Sequence, residues 1–532
     1  MKFARTILSL LIGCSALQVS GFAAGRPARP NILIILADDM GFSDVGCYGG
    51  EIQTPNIDSL ANNGLRFTQF YNTARCWPTR SALLSGYYPQ AIRMDPPRGR
   101  LPQWTRLLPH YLKPLGYRCY HSGKWHVNGA PQPCADGGFD HSYVLDDHDR
   151  HFAPKRHRED DRALPPVDAR AGYYTTSAFA DHAIRCLKEH AREYPSQPFF
   201  SYLAFTSPHF PLHALPEDIA SYRDRYLKGW DAVREERWQR LRAMGIVNCK
   251  PAPLDSPLTP RYFHEKFMTN LGPGEVNHAM PWRELTQEQK EFQATKMAIH
   301  AAMVDRMDRE IGRVLDQLRT MNALENTVIF FLSDNGADAT LLIRGDGHDP
   351  LAPPGSAGSF LCIGPGWASA SNAPFRRHKI WVNEGGISTP LIVHWPAGIR
   401  AKGKLRHDIG HVIDFVPTVL ELTGAHASST WHGVEVPPLP GRSLVPAFRK
   451  DGSVKRDFLY FNHEGNRALL MGKWKLVSAR EDSDRWELFD LNRDRCEAVD
   501  LAAKQPKRVE QMEAKWKQFD EQLQALARSP EP

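Results

Sequence analysis

Four short strand-like runs in this chain stop in the same way, and that repetition limits the fold more than any other feature. PNILIILADD runs through β-branched residues into Asp38 and Asp39. YRCYHSGKWH passes into Lys124 and His126, PFFSYLAFTSPHF into Ser207 and His209, and TVIFFLSDNG into Asp334 and Asn335. Apolar runs of this length without polar alternation read as strands buried on both faces, as in a parallel sheet. Helix-patterned segments lie between them, among them TPNIDSLANNG and YTTSAFADHAIRCLKEHARE. The clearest is residues 287–320, where Val304, Met307, Ile311, Val314, Leu315 and Leu318 recur at three- and four-residue spacing. TPLIVHWP adds a strand and HVIDFVPTVLELTG a helix. The alternation predicts an α/β fold with a mostly parallel central sheet flanked by helices.

At 532 residues the chain is longer than one hydrophobic core usually fills. From about residue 441 the texture changes: FLYFN, RALLMG, WKLVSA and WELFDL sit at hairpin spacing before the helix-patterned KRVEQMEAKWKQFDEQLQAL. We expect a main α/β domain over 25–440 and, over 441–532, a C-terminal subdomain with a small antiparallel sheet and a helix. Residues 210–285, rich in Pro, Trp, Arg and Lys, read as an insertion or long loop. Residues 1–24 have the positive, apolar and small-residue order of a signal peptide, which implies export to the periplasm or the medium. Leu11-Ile12-Gly13-Cys14 resembles a lipoprotein cleavage box, but the apolar run continues past Cys14, so lipid anchoring is the lesser reading. No other stretch is long enough to cross a bilayer. The net charge of +6 is dispersed over the chain, which gives no indication of nucleic-acid binding.

In open α/β sheets, ligands bind outside the carboxyl ends of the strands. Each polar ending has an ordinary reading as a turn cap or a loop residue, but four at one sheet edge point to a shared site. Asp38, Asp39, Asp334 and Asn335 offer only oxygen, a donor set for Ca²⁺ or, less suitably, Mg²⁺, rather than Zn²⁺. Arg80, Lys124, His126 and His209 add positive charge and proton transfer. A divalent cation among cationic side chains describes a site for a tetrahedral anion.

Cys76, in NTARCWPTRSALLSG, has no C-x-x-C partner, which argues against zinc or an iron–sulfur cluster. The segment CWPTRSALLSG resembles the signature of the type I, formylglycine-dependent sulfatases, arylsulfatase-like members of the alkaline phosphatase superfamily. ADDMG, TPNIDSLANNG, GKWH, SPH, LSDNG and the Lys379 of KIWVNEGG are similar to companion motifs of that family, in the expected order.

The resemblance implies that a formylglycine-generating or anaerobic sulfatase-maturing enzyme converts Cys76 to an aldehyde before folding. It implies that the hydrated aldehyde attacks sulfur and later expels sulfate through its second hydroxyl. Asp38, Asp39, Asp334, Asn335 and the modified Cys76 would hold calcium. Arg80 would hold the modified residue, Lys124 and Lys379 would neutralise sulfate oxygens, His209 would protonate the leaving alcohol, and His126 would help deprotonate the second hydroxyl. Two positions depart from the family pattern: Trp77 is bulkier than the usual residue, and Ser388 stands where many relatives carry Arg. Family analogy favours a sulfated carbohydrate as substrate. Residues 150–158 and Arg93, Arg98 and Arg100 are candidates for contacting further sulfates or are solvated loops; Trp230, Trp238 and Trp282 are sugar platforms or packing residues. The rival readings are a phosphodiesterase or phosphonate monoester hydrolase of the same superfamily and a catalytically silent glycan-binding homologue.

Overall fold

The computed structural model describes residues 29–528 except 128, 169, 260 and 264. The signal-peptide reading and Cys14 lie outside the described residues. One ten-stranded sheet organises the chain. Its strands are Asn31–Ala37 (β1), Leu65–Tyr71 (β2), Arg118–Gly123 (β3), His141–Leu145 (β4), His157–Glu159 (β5), Arg162–Ala163 (β6), Phe199–Ala204 (β7), Thr327–Ser333 (β8), Ser388–His394 (β9) and Lys404–His411 (β10). They lie in the order β10-β2-β9-β8-β1-β7-β3-β4-β5-β6. The inner block β8-β1-β7-β3-β4 is wholly parallel, as the apolar runs predict. β9 enters antiparallel to both β8 and β2, while β5 and β6 close one edge as antiparallel strands.

Successive side chains on β1 divide between two cores, which is why the run carries no polar alternation. Ile32, Ile34 and Leu36 pack with helices Cys76–Ser85 and Phe415–Thr423 on one face. Leu33, Ile35 and Ala37 pack on the other with helices Thr175–Glu193 and Gln287–Thr320. The long helix fills the predicted span and opens with a capping box between Thr286 and Gln289. Among the described residues, no helix is long and apolar enough to cross a membrane.

β2 and β10 carry Arg66, Gln69, Arg406 and His407 and have no uniform apolar run, so their strand character comes from pairing with neighbours. The 210–285 region is not one long loop, since it forms helices Gly229–Ala243 and Glu265–Leu271. It is held by Trp230, Trp282 and Trp367, whose ring centroids lie 4.7–5.7 Å apart. Trp230 and Trp282 are therefore packing residues, and Trp238 donates its indole N–H to the Cys249 carbonyl at 2.7 Å. A Cys249–Cys496 disulfide ties this region to the C-terminal part.

A small hairpin, Thr430–Trp431 (β11) and Val434–Glu435 (β12), precedes the second sheet. That sheet is antiparallel and comprises Leu459–His463 (β13), Asn466–Met471 (β14), Trp474–Ser478 (β15) and Trp486–Asp490 (β16), followed by helix Pro506–Ala527. Its Tyr460, Leu469, Leu476 and Leu488 pack into the same core as Ile32 and Leu36.

Candidate active site

Strand register brings the polar endings together. Ala37 pairs with Ser333, Leu36 with Ala204, and Gly123 with Ala204, so β1, β8, β7 and β3 finish nearly level. Backbone bonds extend the ladder one step further: Asp38 N–H donates to Ser207 (3.0 Å), Asp334 N–H to Ala37 (3.1 Å) and Lys124 N–H to Ala204 (2.8 Å). The residues that follow the apolar runs are thereby stacked at one sheet edge.

Cys76 begins its helix, with Arg75 in extended conformation at the N-cap and Gly86 in the left-handed region (φ 81°) at the C-cap. A Cβ at position 86 would sit 2.8 Å from Val416, so glycine serves both the turn and the packing there. The turn before Cys76 is fixed by Thr79, whose hydroxyl accepts from Thr73 N–H at 3.0 Å, and by Asn72, which accepts from Ala74 N–H at 2.9 Å. Ile380 N–H donates to the Ala74 carbonyl at 2.8 Å, binding the Lys379 loop to this turn. Asp39, Ala74, His126 and Ile380 all have positive φ, a concentration of costly backbone around one point.

The charges interlock. Arg80, fully buried, donates through Nε (2.9 Å) and Nη2 (2.7 Å) to Asp334 Oδ2 and through Nη1 to the Lys124 carbonyl (2.8 Å). Its guanidinium bridges Asp334 to the Lys124 backbone. Lys124 Nζ donates to Asp38 Oδ2 at 2.6 Å. Lys379 Nζ lies 2.7 Å from Asp39 Oδ1 and 3.1 Å from Asp338 Oδ2. Asn335 Nδ2 donates to Asp39 Oδ1 at 2.6 Å. Two buried oxygens, Asp38 Oδ1 and Asn335 Oδ1, accept from no donor among the described residues. Asp38, Cys76 and Asp334 offer ligand atoms within 4.8 Å of one another, as do Asp38, Asp39 and His209. Hard oxygen donors, two of them without a partner, fit a divalent cation of the calcium or magnesium type.

Burial disfavours ionised Asp38, but Lys124, Arg80 and Lys379 outweigh it and hold the carboxyl below its ordinary range. Burial pushes Asp39 well above that range against the pull of Lys379, reinforced by Asp338, Asp38 and Asp334. Burial and the Asp38 charge push Asp334 up to about 7 despite Arg80. The Cys76 thiol is lowered: burial opposes the anion, and Lys124 and Lys379 overcome it. Burial, with Lys124 and a second cation in each case (Arg80 for His126, Lys379 for His209), pushes both imidazoles well below their ordinary value. His209 Nδ1 donates to the Phe210 carbonyl at 2.5 Å, which leaves Nε2 directed toward Asp39, 3.6 Å away.

A cavity of about 380 Å³ opens over Cys76, lined by His126, His209 and Lys379, while Arg80, Lys124 and the acidic residues lie beneath. It also contains residues that the sequence motifs do not single out. His148 lies 5.4 Å, ring to ring, from both His126 and His209. Arg344 is held by Asp149, and Tyr262 donates to Glu464 and accepts from Arg75. Only His148 had a signal, a histidine just beyond strand β4, and HSYVL is too short and polar to stand out. Trp77 lines the cavity with its indole N–H on the Met94 carbonyl at 2.9 Å. Beside Ser388, Arg495 from the C-terminal part supplies a guanidinium, 3.0 Å from Glu384 and 3.2 Å from the Ser388 hydroxyl. Arg93 points elsewhere, donating to the Ala527 carbonyl at 2.8 Å.

The Sulfatase family profile matches residues 30–425, and a profile for the C-terminal part of N-sulphoglucosamine sulphohydrolase matches 376–528. An uncharacterized sulfatase of Schizosaccharomyces pombe is 34% identical, covering 92% of this chain and 93% of its own length. An arylsulfatase of Klebsiella aerogenes is 31% identical over 81% of this chain and 94% of its own. A solved structure in complex with its substrate D-glucosamine-2-N,6-O-disulfate is 21% identical with a TM-score of 0.64, covering 93% of this chain and 98% of its own. This chain belongs to the Sulfatase family and is a sulfuric ester hydrolase.

Proposed function

We propose that the protein is an exported sulfatase acting on sulfated carbohydrates, with a formylglycine made from Cys76 and a calcium ion held by Asp38, Asp39, Asp334 and Asn335. The observation that carries the reading is the open acidic cluster beside Cys76, whose Asp38 Oδ1 and Asn335 Oδ1 are buried without a donor. The ligand in the solved relative supports the sugar class. A bound calcium ion supplies polarisation of a sulfate oxygen and of the attacking hydroxyl. A formylglycine at position 76 supplies, in its hydrated form, a nucleophile with a second hydroxyl for release.

The chain's own residues do the rest. Lys124 and Lys379 bring positive charge to the cavity floor, where the sulfate oxygens gather charge. Arg80 fixes Asp334 against the Lys124 backbone and so sets the spacing of the cluster. The negative charge of an arriving sulfate ester offsets Lys124 and Lys379 and favours a proton on His209 Nε2, which can then pass to the leaving alcohol. His126, kept neutral, is suited to take a proton on the nucleophile's side. Asp338 anchors Lys379 from behind, with its other oxygen accepting from Thr340 N–H at 2.8 Å.

The test is sulfate release from an aryl sulfate and from a panel of sulfated sugars, using matured protein with Ca²⁺ and a Cys76→Ala control. Release by the native protein, lowered on the order of 10³-fold or more in the control, is expected. Equal rates in the two proteins would refute the nucleophile, and a preference for an aryl phosphodiester would overturn the substrate class.

A further inference from the structure

The cavity over Cys76 is one of three in a row. It shares His126 and His148 with a second, of about 410 Å³, beyond the carboxyl ends of β3 and β4. The second shares Gly129, Ala130 and Gln132 with a third, of about 630 Å³, which reaches Arg100 and Trp431 on the β11–β12 hairpin. Resting on the sulfatase reading of Cys76, we propose that these cavities form a groove for the chain of a sulfated oligosaccharide, whose sulfated unit sits over Cys76 while neighbouring sugars run toward Trp431.

The groove is built rather than incidental. Gly129 has φ 72°, and a Cβ there would lie 1.8 Å from the Gly99 carbonyl. Its own carbonyl accepts from Leu101 N–H at 3.2 Å, so two loops are pinned together where the second and third cavities meet. Arg158 is fixed in the wall of the second cavity, with Nε and Nη2 on Asp146 at 2.8 and 2.6 Å and Nη1 on Gln132. Trp431 is braced by Arg106, whose guanidinium lies 4.4 Å from the ring centroid.

The lining has the chemistry of a sugar site. Trp125, in the second cavity, and Thr105, in the third, each carry a buried polar atom without a protein partner, Nε1 and Oγ1. Sugar hydroxyls donate and accept, so they can satisfy both. Three of the five Arg158 N–H groups are used on Asp146 and Gln132, which leaves two to donate to hydroxyls or sulfates of neighbouring sugars. Arg158 and Arg100 come from the two basic stretches that the sequence marks, and the fold brings both to this one groove.

The test compares kcat/KM for sulfate release from a sulfated tetrasaccharide and from its sulfated monosaccharide unit, using chondroitin-, heparin- and carrageenan-derived pairs. An aryl sulfate serves as a reference for the chemistry. The native protein should favour the longer member of the cleaved pair by about tenfold or more, and Trp431→Ala and Arg158→Ala should each pull that ratio toward one. Equal kcat/KM for the two lengths, or a ratio unmoved by both variants, would overturn the groove and leave the sulfatase reading standing. Cleavage of the aryl sulfate with no release from any sugar would overturn the carbohydrate reading and the groove with it.

Discussion

Two buried charge clusters lie along one loop of this protein and differ in a single respect. Asp44 accepts from Arg237 Nη1 (2.7 Å), His300 Nε2 (3.0 Å) and Gly41 N–H (2.9 Å). Glu51 accepts from Arg237 Nη2 and Nε at 2.8 Å each and from the Tyr226 hydroxyl at 2.9 Å. Every carboxylate oxygen there has a protein donor, so the acidic side of the network is closed. A few residues earlier, Asp38 and Asp39 join Asp334 and Asn335 in a cluster with two oxygens unfilled. Both clusters are largely buried and both contain arginine. The closed one holds the loop against helices Gly229–Ala243 and Gln287–Thr320, and the open one is shaped to receive something. Burial and charge alone therefore do not mark a site; what sets the open cluster apart is unfilled carboxylate and amide oxygens at the strand ends beside a cavity.

The comparison can be broken first at the closed cluster. Arg237→Met leaves Asp44 and Glu51 without their shared guanidinium, and we expect a loss of about 3–5 kcal/mol in denaturant unfolding. If the clusters are independent, the calcium response of the folded variant should match that of the native protein. A destabilisation below about 1 kcal/mol would show that the network is not what secures the loop.

Asp308 sharpens the contrast with a smaller effect. It has donors but, among the described residues, no cation paired with it: Ile57 N–H at 2.8 Å and Asn56 through N–H (3.2 Å) and Nδ2 (2.8 Å). Burial, outweighing these donors, pushes its carboxyl up to about 6 from 3.8. The native state then binds more protons than the unfolded state between those values. Its contribution to stability therefore falls as pH rises through that window, by at most about 3 kcal/mol, and levels off above it. Asp308→Asn should remove this component from a stability profile between pH 3.5 and 6.5 (roughly the titration window). An unchanged slope would refute the assignment.

The four polar endings were legible because a buried parallel strand must be apolar until it leaves the sheet, so the first charged residues after each run mark its carboxyl end. Register brings Asp38, Lys124 and Asp334 together, and the turn after β7 carries His209 to them. Lys379 follows no such run and was placed only by its resemblance to a family motif. What the pattern could not show depends on contacts between distant segments. β2 and β10 become strands through their partners, and Arg495 reaches Ser388 across 107 residues of chain. The contacts of the Arg80 guanidinium with Asp334 and the Lys124 carbonyl likewise join segments that no local pattern connects. The Trp cluster of 210–285 is a further case, since a surface platform and a core anchor share the same composition.

The open cluster should bind a divalent cation and the closed one should not. Thermal unfolding of the native protein and of Asp38→Asn, each with chelator and with saturating Ca²⁺, tests it most directly. Binding at a hundredfold excess over Kd stabilises the native protein by about 2.7 kcal/mol, and a corresponding rise in Tm is expected that Asp38→Asn abolishes. A native protein whose Tm ignores calcium, or a variant that gains as much from it as the native does, would contradict the account.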